Sequence, residues 1–187
     1  MIDFDATFDT FPQLTTERFV LRELMPTDIG PMFQIMSDPQ TMQHFGQPPM
    51  TLRLEAELRI NSIYRAFVER DGIRWGIERR SDGALIGSCG FWRLVSEHAT
   101  AEIGYELDRA CWGQGVMTEA AGAILTFGFE VMRLHRVEAH IAPPNIGSRR
   151  VLEKLGFVQE GYFRQSYYLE HEQRFDDDVV FSLLRPI

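Results

Sequence analysis

The spacing of apolar residues changes repeatedly along the chain, and each change marks a new element. Phe19-Val20-Leu21-Arg22-Glu23-Leu24 is a β-rich run that follows Thr15 to Arg18. Pro26-Thr27-Asp28 opens a helical stretch that reaches about Met36 and is closed by Ser37-Asp38-Pro39. A second helix is predicted over Leu52 to Glu69, with Leu54, Leu58, Ile63 and Phe67 on one face. Trp75 to Glu78 reads as a strand, Ser81-Asp82-Gly83 as a hairpin turn, and Ala84 to Phe91 as the return strand. Thr100 to Leu107 is the third strand of that group. From Val116 to Met132 the period is helical, with Ala121, Ile124, Leu125, Gly128 and Met132 in register. Phe127 and Val131 add apolar surface elsewhere, which predicts a helix covered on more than one side. His135 to Ile141 alternates as a strand does, and a helix from Ile146 to Leu155 stops at Gly156. Strands over Phe157 to Leu169 and Phe175 to Leu184, joined by Glu170 to Gln173, end the chain. The order β-α-α-β-β-β-α-β-α-β-β predicts an α/β (α+β) fold, a mixed sheet flanked by helices.

Composition narrows the setting. Hydrophobic residues make up 44 % of the 187 residues, enough for one real core, and no linker or repeat interrupts residues 1–187. No apolar run approaches the roughly 20 residues that span a bilayer. Met1 to Pro12 carries Asp3, Asp5 and Asp9 without Lys or Arg, unlike a signal peptide, so the expected compartment is the cytoplasm. A net charge of −8 argues against a nucleic-acid partner, which needs a basic stripe. Cys89 and Cys111 lack a CxxC spacing and read as small buried hydrophobes; a catalytic thiol is the alternative for Cys111. His44, His98, His135, His140 and His171 show no metal-ligand spacing, so no metal is expected.

The segment Leu107 to Ala120 carries the most chemistry. A strand ends, Gly113 and Gly115 allow an unusual backbone path, and a helix starts at once. Unpaired N–H groups then converge at the positive end of a helix dipole, a seat for a phosphate. The glycines fit neither G-x-G-x-x-G, since position 118 is Thr, nor the P-loop pattern. Taken alone, the segment could equally be a tight strand-to-helix turn. A second strand-loop-helix follows at Pro143 to Phe157, with Asn145 placed to cap the helix by accepting from the N–H of Ser148.

This pair of helix starts resembles the GNAT acetyltransferases. Gly115 matches the central glycine of their Gln/Arg-x-x-Gly-x-Gly/Ala loop, whereas Trp112 and Met117 depart from it. Trp112-Gly113-Gln114-Gly115-Val116-Met117-Thr118-Glu119-Ala120 is instead similar to the loop of the Rim-type branch, the ribosomal-protein alanine N-terminal acetyltransferases. Leu14 to Arg22, Ala101 to Leu107, Leu134-His135-Arg136, Asn145 to Phe157 and Asp178 to Leu184 extend the likeness over most of the chain. The hairpin Glu170 to Gln173 lacks the usual glycine.

The resemblance implies a mixed, mostly antiparallel sheet of about seven strands with about four helices. It also implies acetyl-coenzyme A as cosubstrate, no metal, and an amine acceptor, either a protein N-terminus or a small molecule. The cosubstrate would lie along Tyr105, Glu106 and Leu107, on the loop Trp112, Gly113, Gln114, Gly115, Val116, Met117 and Thr118, and against Asn145, Ser148 and Leu152. Amine acetylation needs a base for the amine, a donor for the oxyanion and a proton for the departing thiolate. The resemblance puts the oxyanion donor on the backbone of Tyr105 to Leu107. Many relatives protonate the thiolate with a Tyr whose position is Leu152 here; the resemblance to Rim-type enzymes that use a Ser three residues after the Asn implies Ser148 for this role. Glu102, Glu106 and His140 are three open candidates for the base, beside a water chain. A non-catalytic acyl-CoA-binding module and an antibiotic- or toxin-modifying enzyme are the competing functions; a homodimer is left open.

Overall fold

The computed structural model describes residues 1–186. In chain order its elements are α1 (Phe4–Phe8), β1 (Leu14–Thr15), β2 (Phe19–Arg22), α2 (Ile29–Ser37), α3 (Pro39–Met42), α4 (Arg53–Val68), β3 (Ile73–Arg79), β4 (Ala84–Val95), β5 (Thr100–Leu107), α5 (Val116–Glu130), β6 (Arg136–Ile141), α6 (Ile146–Lys154), β7 (Val158–Leu169) and β8 (Arg174–Leu184). The eight strands form one sheet in the order β1-β2-β3-β4-β5-β6-β8-β7. Every pairing is antiparallel except β5 with β6. The mixed, mostly antiparallel sheet flanked by helices expected from the sequence is present, with eight strands in place of about seven and six α-helices in place of about four among the described residues. The additions are β1, α1 and α3, of two, five and four residues, each too short to display a period.

The sheet separates two cores. On one face α5 lies against β4 and α6 against β6, burying Trp75, Phe91, Ile103, Ile124, Val137 and Phe181. Nine of the 15 residues of α5 are buried, which agrees with its apolar residues being on more than one side. On the other face α2, α3 and α4 enclose Leu24, Met32, Ile35, Met36, Ala56, Ile60 and Leu85. Here the sequence expectation for α4 is corrected. Leu54 and Leu58 are exposed, and Ala56 and Ile60 face the core. A small residue at the closest approach hid the buried stripe. Glu55 fixes the start of α4 by accepting from the N–H groups of Thr51 and Leu52, both at 2.7 Å.

Helices α2 and α4 pack on β4 and β3, α2 also reaches β5, and that face of β6 and β8 is left open to side chains. Register puts Arg74, Ser88, Gly90, Trp92, Glu102, Gly104, Glu106, His140 and Asp178 on it. The same face therefore carries an apolar core under the helices and, from Arg74, Ser88 and Glu106 beneath α4 outward, polar side chains.

Candidate active site

Strands β5 and β6 run parallel yet pair only over Thr100–Glu102 and Arg136–Glu138. Beyond that point β5 stays bonded to β4 as far as Leu107, and β6 stays bonded to β8 as far as Ile141. Between them the sheet opens as a wedge, and the ladder partners that β5 and β6 would give each other are absent. Because the two strands are parallel, α5 and α6 both start at the wide end of this wedge.

The chain from Leu107 into α5 is held from several sides. Asp108 caps a short 3-10 turn by accepting from the N–H of Ala110 at 2.8 Å. The indole of Trp112 donates to the carbonyl of Leu107 at 3.0 Å, and the side chain of Gln114 donates to that of Ala110 at 2.8 Å. Arg18, from the start of β2, donates to Glu119 at 2.7 Å and to the Gln114 carbonyl at 3.0 Å. Gly113 and Gly115 have φ of 73° and 74°, a region that side-chain-bearing residues avoid. Among the described residues, the N–H groups of Gly113 through Thr118 find no acceptor in the chain. With the helix dipole behind them, these donors suit a pyrophosphate.

At the second helix start, Asn145 accepts from the N–H of Ser148 at 3.0 Å, the cap expected from the sequence. Ser148 is half-buried, and the hydroxyl of Tyr105 reaches its carbonyl at 3.5 Å, so β5 and the start of α6 face each other across the wedge. Burial pushes the Tyr105 phenol up to about 12, which keeps it protonated. Leu152 is fully buried and belongs to the core packed on α5.

The carboxylates of β5 have different surroundings. Glu106 is fully enclosed, accepting from Ser88, Arg74 and Arg59. Burial pushes its carboxyl up, but the charges of Arg74 and Arg59 outweigh this and hold it below the ordinary range. Glu102 instead accepts from Arg93 at 2.8 Å and lies 3.3 Å from Nε2 of His140. Arg93 reaches it from a bulge in β4, where its own φ is 50°. Nδ1 of His140 lies 2.5 Å from Asp178 on β8. The hydrogen bond to Asp178 raises the His140 pKa above 6.5, against desolvation, with Asp178 and Glu102 adding charge attraction. Three strands thus assemble the row Glu102, His140, Asp178, and Glu106 stands outside it.

Trp92, half-exposed, lies across Gly104 between the two carboxylates; a Cβ at Gly104 would fall 2.1 Å from its ring. Above this floor, Tyr167 of β7 presses on Gly46, and His44 feels the charge of Asp176. The loop after α3 and the β7–β8 hairpin therefore meet over the open face. Asp178, Arg93, Arg59 and Arg74 escaped the sequence reading. Alternation against Ile73 and Trp75 marks Arg74 as facing the other side of β3, but not what it meets there.

Cys89 and Cys111 are both buried. Burial raises the thiol of Cys111 and pushes that of Cys89 up to about 12, so neither favours a thiolate. Among the described residues no three His, Cys, Asp or Glu side chains are grouped to hold a metal, and no helix is long and apolar enough to cross a membrane.

The split parallel pair thus sets a row of free N–H groups at one helix start beside a polar floor. The model of the acetyltransferase (GNAT) domain matches residues 18–158, and the chain belongs to that family. It is 35 % identical over 176 residues to the uncharacterized N-acetyltransferase YoaA of Bacillus subtilis, covering 94 % of this chain and 98 % of that one. It is 27 % identical over 183 residues to the ribosomal protein uS5-alanine N-acetyltransferase of Escherichia coli, covering 93 % and 91 %. The crystal structure of a GNAT-family acetyltransferase from Bacillus anthracis superposes with a TM-score of 0.83 at 26 % identity, covering 93 % and 99 %. The protein is an N-acetyltransferase.

Proposed function

We propose that the chain uses acetyl-coenzyme A seated in the β5–β6 wedge to acetylate a primary amine that approaches over Trp92. The observation that carries this reading is the wedge itself. It brings the unpaired N–H groups of Gly113 to Thr118, the freed backbone of Tyr105 to Leu107 and the Glu102–His140–Asp178 row to one opening. Acetyl-coenzyme A supplies a thioester, whose carbon is attacked by the amine nitrogen as the carbon–sulfur bond breaks and the thiolate leaves.

The residues divide the work. Gly113 to Thr118 hold the pyrophosphate, with Gly113 and Gly115 giving the backbone its path. A backbone N–H of Tyr105 to Leu107 receives the oxyanion. Glu102 and His140 take the amine proton, and Asp178 orients the imidazole. The hydroxyl of Ser148 donates a hydrogen bond to the departing thiolate, which Leu152, buried in the core, cannot do; the amine proton passes from the base to solvent. Glu106, pinned by two guanidinium groups, is left with a structural task. A cytoplasmic location goes with this reading, since that is where acetyl-coenzyme A is made available to such an enzyme.

The test is release of coenzyme A, followed with a thiol reagent, on offering amino acids, Ala- and Ser-starting peptides, polyamines and aminoglycosides. Amine-dependent release that falls in kcat for Ser148→Ala supports the reading. Saturable acetyl-coenzyme A binding with no amine acetylated would instead make the chain a binding module.

A further inference from the structure

The polar network beneath α4 holds more positive than negative charge. Glu106 is its one carboxylate: Oε2 accepts from Arg74 and, at 3.3 Å, from Arg59, while Oε1 accepts from Ser88. Among the described residues neither guanidinium pairs with a second carboxylate. Two cations thus face one anion where water is largely excluded, a costly imbalance.

The imbalance falls on Arg59. Arg74 is well satisfied, since its Nε also donates to Ser88 at 2.6 Å. Arg59 has only the long contact to Glu106, and its Nε is buried with no partner. Its guanidinium carbon stands 5.4 Å over the ring of Phe45. Burial pulls its pKa below the ordinary value. An orphaned buried donor on a charged group is costly, so it is seldom kept without a use.

Arg59 is also placed to meet a ligand. It lines a cavity of about 380 Å³ between α4 and the loop that carries Gln47, Pro48 and Met50. Phe45 begins that loop beside His44 and Gly46, which meet the β7–β8 hairpin over the open face. Along β5, Glu106 is two residues from Gly104, where Trp92 lies, a step of about 7 Å. The guanidinium is therefore one side-chain width from the floor over which the amine arrives.

We propose that Arg59 anchors a carboxylate carried by the acceptor, so that the substrate is a small zwitterion, an amino acid acetylated on its amine. This rests on the acetyl-transfer reading above and names its substrate class. A carboxylate matches the partly exposed guanidinium and brings the network to two cations and two anions. Glu102, Asp176 and Asp178 stand on the same side of the molecule, each with a cationic or imidazole partner in Arg93, Arg174 or His140, and His140 accepts the proton of the ammonium end.

The experiment pairs each of the twenty L-amino acids with its carboxamide, using wild type, Arg59→Lys and Arg59→Met. Coenzyme A release gives kcat and KM, and thermal unfolding in the presence of coenzyme A reads binding alone. The wild type is expected to prefer at least one acid over its amide by tenfold or more in kcat/KM. Arg59→Met erases that preference through KM, and Arg59→Lys, which keeps the charge without the fork, reduces it several-fold. Equal use of acid and amide, or a preference that survives Arg59→Met, overturns the proposal. If Arg59→Met fails to fold, an unchanged preference in Arg59→Lys overturns it. If no amine is acetylated, the acetyl-transfer reading fails by itself and unfolding still decides: an acid-specific rise in Tm that Arg59→Lys weakens supports the carboxylate anchor, and none in any pair overturns it.

Discussion

The indole N–H of Trp112 donates to the carbonyl of Leu107 at 3.0 Å, tying the glycine loop back to the end of β5. That bond holds the loop in shape through the side chain of Trp112. In the proposed seat the pyrophosphate is met by backbone N–H groups, so this side chain is free to serve as a strut. Trp112→Phe keeps the ring and removes the donor. A hydrogen bond contributes about 0.5–1.5 kcal/mol, so KM for acetyl-coenzyme A should rise by roughly 2- to 12-fold with kcat little changed. An unaltered KM would mean the strut is not what holds the loop.

Gly113 and Gly115 separate backbone strain from crowding. Both have positive φ, and nothing lies within 4 Å of a Cβ at Gly113, whereas the Arg18 guanidinium comes to 3.6 Å at Gly115. Neither site is sterically blocked, so Ala at either costs mainly the left-handed backbone, about 1–2 kcal/mol. Gly115 caps α5 and opens its free N–H groups, so Gly115→Ala should weaken acetyl-coenzyme A by more than Gly113→Ala. Calorimetric titration of the two variants checks the order, and equal losses would remove the helix cap from the account.

Much of this was legible in the sequence because it is local. Gly-x-Gly between a strand and a helix, and Asn145 three residues before Ser148, each act within a few residues of themselves. The wedge was legible only through resemblance, because strand register is not written in either strand alone. Of the floor, Glu102, Glu106 and His140 were legible as candidates, but the partners they meet were not. Arg59, Arg74, Ser88 and Glu106 come from α4, β3, β4 and β5, up to 47 residues apart, and only the folded sheet brings them together. Asp178 was likewise hidden, one acid among three in a row until β8 pairs with β6.

His140 gives the site a pH dependence with a definite sign. Its hydrogen bond to Asp178 raises its pKa above 6.5, which favours the imidazolium form. The base must be neutral, and kcat/KM should climb as pH rises through that elevated value. The stabilisation has the opposite trend: present in full below 6.5, it is lost as pH rises through the folded pKa. Asp178→Asn removes the first cause of the shift, so the midpoint of the pH–rate profile should move towards 6.5. A midpoint that stays in place in Asp178→Asn would assign the titration to another group.

Glu106→Gln tests whether the second carboxylate of β5 is structural. The substitution keeps the shape and removes the one anion that, among the described residues, faces Arg59 and Arg74. Breaking a buried pair in this way costs about 3–5 kcal/mol, because the charges left behind have no compensation. For a domain of this length each kcal/mol moves Tm by about 2–4 °C, so a fall of roughly 6–20 °C is expected. Glu102 is the contrast, since its partners Arg93 and His140 are both more than a third exposed and water replaces it readily. Glu102→Gln should therefore leave Tm within a few degrees while lowering kcat. The reverse pattern, a stable Glu106→Gln with kcat abolished, would transfer the role of base to Glu106.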